Sequence, residues 1–158
     1  MLWMMRLYPP LLFAGVRWQA VASDFRSATV LVKRRLINRN VNGTVFGGAM
    51  AAAVDPVMAL LYWQAFAHRG RHVEVWTAEL RIAFVRPASS DLRFEFQIDA
   101  TTLEEVEVSL DTDGRARRTD RVVGIDREGT VCAEVELGSA LRDPAVLVGL
   151  ASGDQPRQ

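Results

Sequence analysis

Only one cysteine, Cys132, occurs among 158 residues, which excludes an internal disulfide, and no Cys/His cluster at zinc-ligand spacing surrounds it. A reducing, cytoplasmic setting without a metal site is the expectation. Neither sign of charge dominates, with 19 Lys and Arg against 19 Asp and Glu, so the chain lacks an electrostatic footprint for nucleic acid or an anionic membrane. Residues 1–16 are apolar but have no basic leader, Arg6 interrupts them, and Pro9-Pro10 would break a signal-peptide helix. They fall short of the ~20 residues of a membrane span and are expected to form a short helix packed on the domain. Repeats and low-complexity tracts are also absent. Residues 1–151 are expected to be one domain, and the small, polar residues 152–158 a disordered tail. A chain of this length can bury about 70% of its unfolded surface without a staple.

Alternation of apolar and polar residues predicts strands at Val16, Trp18 and Ala20 and again at Ala28, Val30 and Val32, with Ser23-Asp24 turning the chain. Residues 39–44, Arg-Asn-Val-Asn-Gly-Thr, carry loop chemistry. From 47 to 68 alanine is abundant, and Met50, Val54, Met58, Leu61, Tyr62 and Ala65 recur at three- and four-residue spacing, predicting a long, largely buried helix. His68, Arg69 and Gly70 mark its end. A strand follows in which Trp76, Ala78, Leu80, Ile82 and Phe84 share one face and Thr77, Glu79 and Arg81 the other. After a turn at 87–90, Leu92, Phe94, Phe96 and Ile98 form a second strand, expected to lie antiparallel to the first. Thr101 or Thr102 caps a predicted short helix ending at Asp113-Gly114. Residues 121–125 and 131–137 form a predicted hairpin. The sum is an α+β domain of about six strands and one long helix.

The stretch richest in chemistry is residues 40–56. Gly47 and Gly48 sit where loop becomes helix, and without side chains they leave the first backbone N–H groups open to an incoming oxygen. Two turns on, Asp55 puts a carboxylate on an otherwise apolar helix, where an uncompensated charge is costly. Pro56 removes a helical hydrogen bond and disfavours the helical region at Asp55, so a kink would open that carboxylate to a cleft. The alternative is structural, with Asp55 capping a helix that restarts at Pro56.

Asn40-x-x-Gly43, the Gly47-Gly48 pair and Asp55 after a six-residue spacer resemble the active-site segment of hotdog-fold thioesterases of the phenylacetate-degradation (PaaI-like) type. Residues 80–88, Leu-Arg-Ile-Ala-Phe-Val-Arg-Pro-Ala, resemble the strand those proteins place after their central helix. The resemblance covers roughly residues 8–142. It implies a hotdog fold, an antiparallel sheet wrapped around the helix and paired across a two-fold axis as a homodimer or dimer of dimers. It also implies acyl-thioester sites between protomers, with coenzyme A or acyl-carrier protein as part of the substrate and no separate cofactor. By position Asp55 matches the carboxylate that attacks the carbonyl or activates water, Gly47 the glycine whose N–H polarises it, and Asn40 a positioning residue. Thr77 falls where some relatives carry a water-orienting hydroxyl. Gly48, Phe46 and Met50 would line the acyl site. Phe46 departs from the pattern, since most relatives of this type carry histidine there. An uncharacterised branch, known as a domain of unknown function, is similar in having Phe-Gly-Gly and Asp-Pro.

The other polar features divide between bland and functional readings. His68 and His72 lie about four turns from Asp55, too far for a catalytic pair on one helix. Their distance also argues against a dehydratase, which by resemblance needs a histidine beside its acid. Asn42-Gly43-Thr44 matches a glycosylation acceptor, but nothing directs export. Cys132, alternating in a strand, reads as a small buried hydrophobe. Arg115, Arg117, Arg118 and Arg121 form either a solvated loop or, at Arg117 and Arg118, a grip on coenzyme A phosphates. Besides a thioesterase, the sequence therefore admits a non-catalytic acyl-binding domain and a structural dimerisation module.

Overall fold

A computed structural model describes residues 8–153. Its elements are α1 (Pro9–Phe13), β1 (Val16–Val21), β2 (Ser27–Val32), a 3-10 turn (Leu36–Asn38), α2 (Gly47–Val54), α3 (Val57–His68), β3 (Glu74–Phe84), β4 (Leu92–Gln97), α4 (Ala100–Asp113), β5 (Arg115–Ile125), β6 (Val131–Arg142) and α5 (Pro144–Gly153). Six antiparallel strands in the order β1-β2-β4-β5-β6-β3 form one sheet that wraps the α2–α3 helix, the hotdog architecture. Residues 1–7 of the expected amino-terminal helix lie outside the described residues. Pro9–Phe13 is helical and tucks Leu11 into the core. At the other end α5 runs through Ser152, where the tail was expected to begin, and residues 154–158 lie outside the described residues.

Both sides of the core follow from the apolar spacing. Ala49, Met50, Ala53, Val54, Val57, Met58, Leu61, Tyr62, Ala65 and Phe66 are buried along α2 and α3, against the inner residues Val30, Phe94, Phe96, Val135 and Leu137 of the sheet. Each large apolar side chain sequestered in this way contributes roughly 1.5–3 kcal/mol. Residues 47–68 have the length and apolarity of a membrane span but pack as this core helix. Gly70 closes α3 at φ +75° and Gly114 closes α4 at φ +62°, left-handed positions that favour glycine.

Four expectations need correction or refinement. β4 runs antiparallel to β3 as expected but does not pair with it. It lies between β2 and β5, while β3 stands at the sheet edge beside β6. A seven-residue link joins β3 to β4; at about 3.3 Å per residue it can cross the ends of strands spaced about 4.8 Å apart. The helix after β4 spans fourteen residues, and its cap is Asp99, whose carboxylate accepts from the Thr102 N–H at 2.6 Å and the Thr102 hydroxyl at 3.0 Å. The arginines at 115–121 stand in an eleven-residue strand, since the β5–β6 hairpin continues to Arg142 through the small residues Gly138, Ser139 and Ala140.

The fourth correction concerns the phase of β3. The register steps from Thr77↔Ser139 to Glu79↔Gly138, so Ala78 is an extra, bulged residue. Before the bulge Val75 and Thr77 face the helix, and after it Leu80 and Ile82 do; Trp76 and Ala78 are exposed. Gly138 makes room for the bulge, because a Cβ there would lie 3.0 Å from the Glu79 Cβ.

Candidate active site at the helix kink

α2 ends and α3 begins around Asp55 and Pro56. Asp55 keeps helical dihedrals and its N–H donates to the Ala51 carbonyl at 3.0 Å, while Pro56 opens α3 at φ −82°, ψ −10°. No side chain caps α3, so the Asp55 carboxylate is not the helix cap of the structural alternative. It is exposed and has no hydrogen-bond or ion-pair partner among the described residues. The Asp55 backbone carbonyl, in contrast, accepts from the Thr77 hydroxyl at 2.6 Å. The Ala78 bulge turns that hydroxyl inward, and the bond pins the kink to the edge strand.

Asp55 and Thr77 open onto a cavity of about 450 Å³, whose remaining walls are largely apolar and include Tyr8, Pro56, Leu60, Trp63 and Val75. Trp63 and Val75 were not anticipated in this role. Trp63 could have been found from its spacing, eight residues and about two turns beyond Asp55; Val75 could not, because the bulge reverses its face.

Gly47, Met50 and Asn40 line a separate cavity of about 650 Å³ with Phe84 and Pro87. Along the helix, Gly47 and Asp55 stand about 12 Å apart at 1.5 Å per residue. Within one chain the structure therefore joins Asp55 with Thr77, and Gly47 with Asn40 and Met50, but not the two groups. No side chain caps α2, and the Gly47 and Gly48 N–H groups have no acceptor among the described residues. Both glycines admit aromatic rings: a Cβ on Gly47 would lie 2.8 Å from Cζ of Phe84, and one on Gly48 2.8 Å from Cζ of Phe46.

Asn40 closes its own loop. Its side-chain oxygen accepts from the N–H groups of Asn42 and Thr44, and its amide nitrogen donates to the Thr44 hydroxyl at 2.8 Å. The buried Asn38 had no signal in the motif, yet it anchors this region. Its amide donates to the Ala14 and Lys33 carbonyls, both at 2.8 Å, and its oxygen accepts from the Arg35 N–H. The Phe46 N–H then donates to the Asn38 carbonyl, which sets the entry into α2.

Arg118 is held away from both cavities, its guanidinium donating to Glu105 at 2.9 Å and to the Thr102 hydroxyl at 3.2 Å. Arg117 is exposed on the opposite face of β5. Beneath Arg118 the Tyr62 hydroxyl donates to the Asp120 carboxylate at 3.2 Å. Burial pushes Asp120 up to about 6, against the opposing pull of the Tyr62 hydrogen bond and the Arg118 charge. Cys132 is buried, and burial raises its thiol, reinforced by Asp126. Among the described residues no three His, Cys, Asp or Glu side chains converge as a metal site.

The sequence matches, over residues 1–137, a family described as a domain of unknown function, DUF4442. No curated protein matches it. Among solved structures, a protein of unknown function from Pseudomonas aeruginosa, described as a probable thioesterase, is 22% identical with a TM-score of 0.72, covering 88% of this chain and 90% of that one. A protein of unknown function from Chlorobaculum tepidum is 13% identical with a TM-score of 0.74, covering 89% and 90%. A thioesterase from Haemophilus influenzae is 12% identical with a TM-score of 0.66, covering 90% and 91%. At these identities the likeness is one of fold.

Proposed function

The chain belongs to the DUF4442 family, and we propose that it hydrolyses an acyl thioester at a site completed by two copies of the chain. One observation carries the reading: the unpartnered Asp55 carboxylate stands at a helix kink, at the mouth of an apolar cavity. Fold likeness to proteins described as thioesterases is consistent with it. An acyl thioester has the matching parts, an apolar acyl group attached to a carbonyl that must be attacked.

In the general-base route Asp55 takes a proton from water, the resulting hydroxide adds to the thioester carbonyl, and the tetrahedral oxyanion collapses with loss of the thiolate. In the nucleophilic route the carboxylate adds directly and the thiolate is expelled to take up a proton, leaving an anhydride that water cleaves to the free acid and the Asp55 carboxylate. Both routes need donors where the oxyanion forms, and the free Gly47 and Gly48 N–H groups at the start of α2 are suited to that task. Because Gly47 and Asp55 of one chain are about 12 Å apart, one carbonyl meets both types of group only if a second protomer supplies one of them. β3 supports such pairing. Among the described residues it is an eleven-residue edge strand with one side unpaired, an arrangement that isolated proteins usually cover. Coenzyme A or acyl-carrier protein would serve as the thiol carrier.

Free-thiol release from short, medium, long and aryl acyl-CoA esters tests the proposal on wild type and Asp55→Asn. Asn keeps the shape and removes the charge, so activity should fall about a hundredfold. A second reading, acyl binding without turnover, draws on the Phe46 ring lying over Gly48 and on the commitment of Asn40 to its own loop. Absence of turnover together with a rise in melting temperature on adding acyl-CoA would favour it.

A further inference from the structure

The Asp55 cavity has a direction. Thr77 bonds the Asp55 carbonyl and so fixes one end. α3 and β3 run antiparallel, so the next inward strand residue, Val75, lies further along the helix, opposite Leu60 and Trp63. The result is a trough between helix and edge strand with its carboxylate at one end and an indole toward the other. Trp63 is 42% exposed despite its size, so the fold does not need it for the core; most of the large side chains on the same helix, Met58, Leu61, Tyr62 and Phe66, are fully buried. Among the described residues, no charged side chain other than Asp55 lines the trough.

Resting on the thioester reading above, we infer that Trp63 is the end-stop of the acyl channel and sets the chain length this protein accepts. The reacting carbonyl sits at Asp55, and the acyl tail runs along Leu60 and Val75 until it meets the indole. From Asp55 to Trp63 the helix advances about 12 Å at 1.5 Å per residue, which an extended acyl chain fills with roughly eight to ten carbons. Beyond Asp55 and Thr77 the described lining is apolar except for the Tyr8 hydroxyl and the Trp63 indole N–H, which suits a saturated chain and offers no charged partner to a terminal carboxylate.

The test is a chain-length series of saturated acyl-CoA esters, from four to sixteen carbons. Hydrolysis is measured on wild type, Trp63→Phe and Trp63→Ala. Binding is measured by calorimetry on Asp55→Asn and Asp55→Asn/Trp63→Ala. Wild type should peak at eight to ten carbons, and Trp63→Ala should raise the kcat/KM ratio of fourteen over eight carbons roughly tenfold or more. Trp63→Phe should fall between them, which separates a steric stop from general damage, and the binding profile should shift in the same sense. Hydrolysis with an unchanged length profile in Trp63→Ala overturns the end-stop and leaves the catalytic reading standing. Absent hydrolysis with a binding profile that lengthens in the double variant overturns the catalytic reading and upholds the end-stop. Absence of both binding and hydrolysis overturns both.

Discussion

Asp120 is held in its neutral form to a higher pH than an ordinary carboxyl, because burial between α3 and β5 opposes its charge more than the Tyr62 hydroxyl and Arg118 favour it. Its native value of about 6 lies above the unfolded value of 3.8. The native state therefore binds more protons than the unfolded state between those values, and the stability contributed by the protonated group is lost as pH rises through about 6. Asn in its place can still accept from Tyr62 and cannot ionise. Relative to Asp120→Asn, wild type should lose on the order of 1–2 kcal/mol between pH 4 and pH 7, the figure being reduced for partial solvent contact. Urea unfolding of both proteins across that range measures the difference; a constant gap would sink the assignment. Asp91 does not mask the effect. Its burial is outweighed by hydrogen bonds from Lys33, Arg127 and the Arg34 N–H, which hold it at about 2, so its contribution is present above 3.8 and fades only below that window.

At the scale of elements, one bulge links the edge strand to the helix kink. Removing the Thr77 hydroxyl should cost about 1 kcal/mol, the usual net value of one hydrogen bond, and should also loosen the position of Asp55. Thr77→Val keeps the volume, so its expected signature is a reduced kcat for thioester hydrolysis with little change in KM, restored by Thr77→Ser. Equal activity in Thr77→Val and wild type would leave the bond a purely structural tie. This link explains where sequence reading succeeded and failed. The central helix and β4 were legible because Ala-rich three- and four-residue spacing and the Leu92, Phe94, Phe96 alternation each depend on one unbroken period. β3 was misphased because a single extra residue at Ala78 reverses every side chain before it, and neither strand pairing nor bulges leave a mark in composition. The loop motif drew attention to Asn40. The buried organiser is Asn38, whose three partners at residues 14, 33 and 35 come together only in the folded chain. Asp55 stood out as a lone charge on an apolar helix, whereas its trough requires Val75 to face inward, against the sequence phase.

For the whole molecule, the separation of Gly47 from Asp55 makes a prediction about how copies cooperate. Gly47 is the first residue of α2, where proline is well tolerated, and Phe46 before it is already extended at φ −64°, ψ 132°, as a residue preceding proline must be. Gly47→Pro therefore removes the N–H proposed to polarise the carbonyl at a position that suits proline, its Cβ requiring the exposed Phe84 ring to move aside. Alone, Gly47→Pro and Asp55→Asn should each be nearly inactive as homodimers. In a mixed dimer one site receives both damaged groups and the other receives an intact Asp55 and an intact Gly47. Random pairing after coexpression makes about half of the dimers mixed, each with one intact site of two, so specific activity should return to about a quarter of wild type. Sites contained within single chains would give no recovery, because every chain would carry one lesion. Light scattering on the same preparations settles whether the pairing itself occurs, and a monomer at micromolar concentration would remove the premise that the unpaired edge of β3 and the divided site belong to one interface.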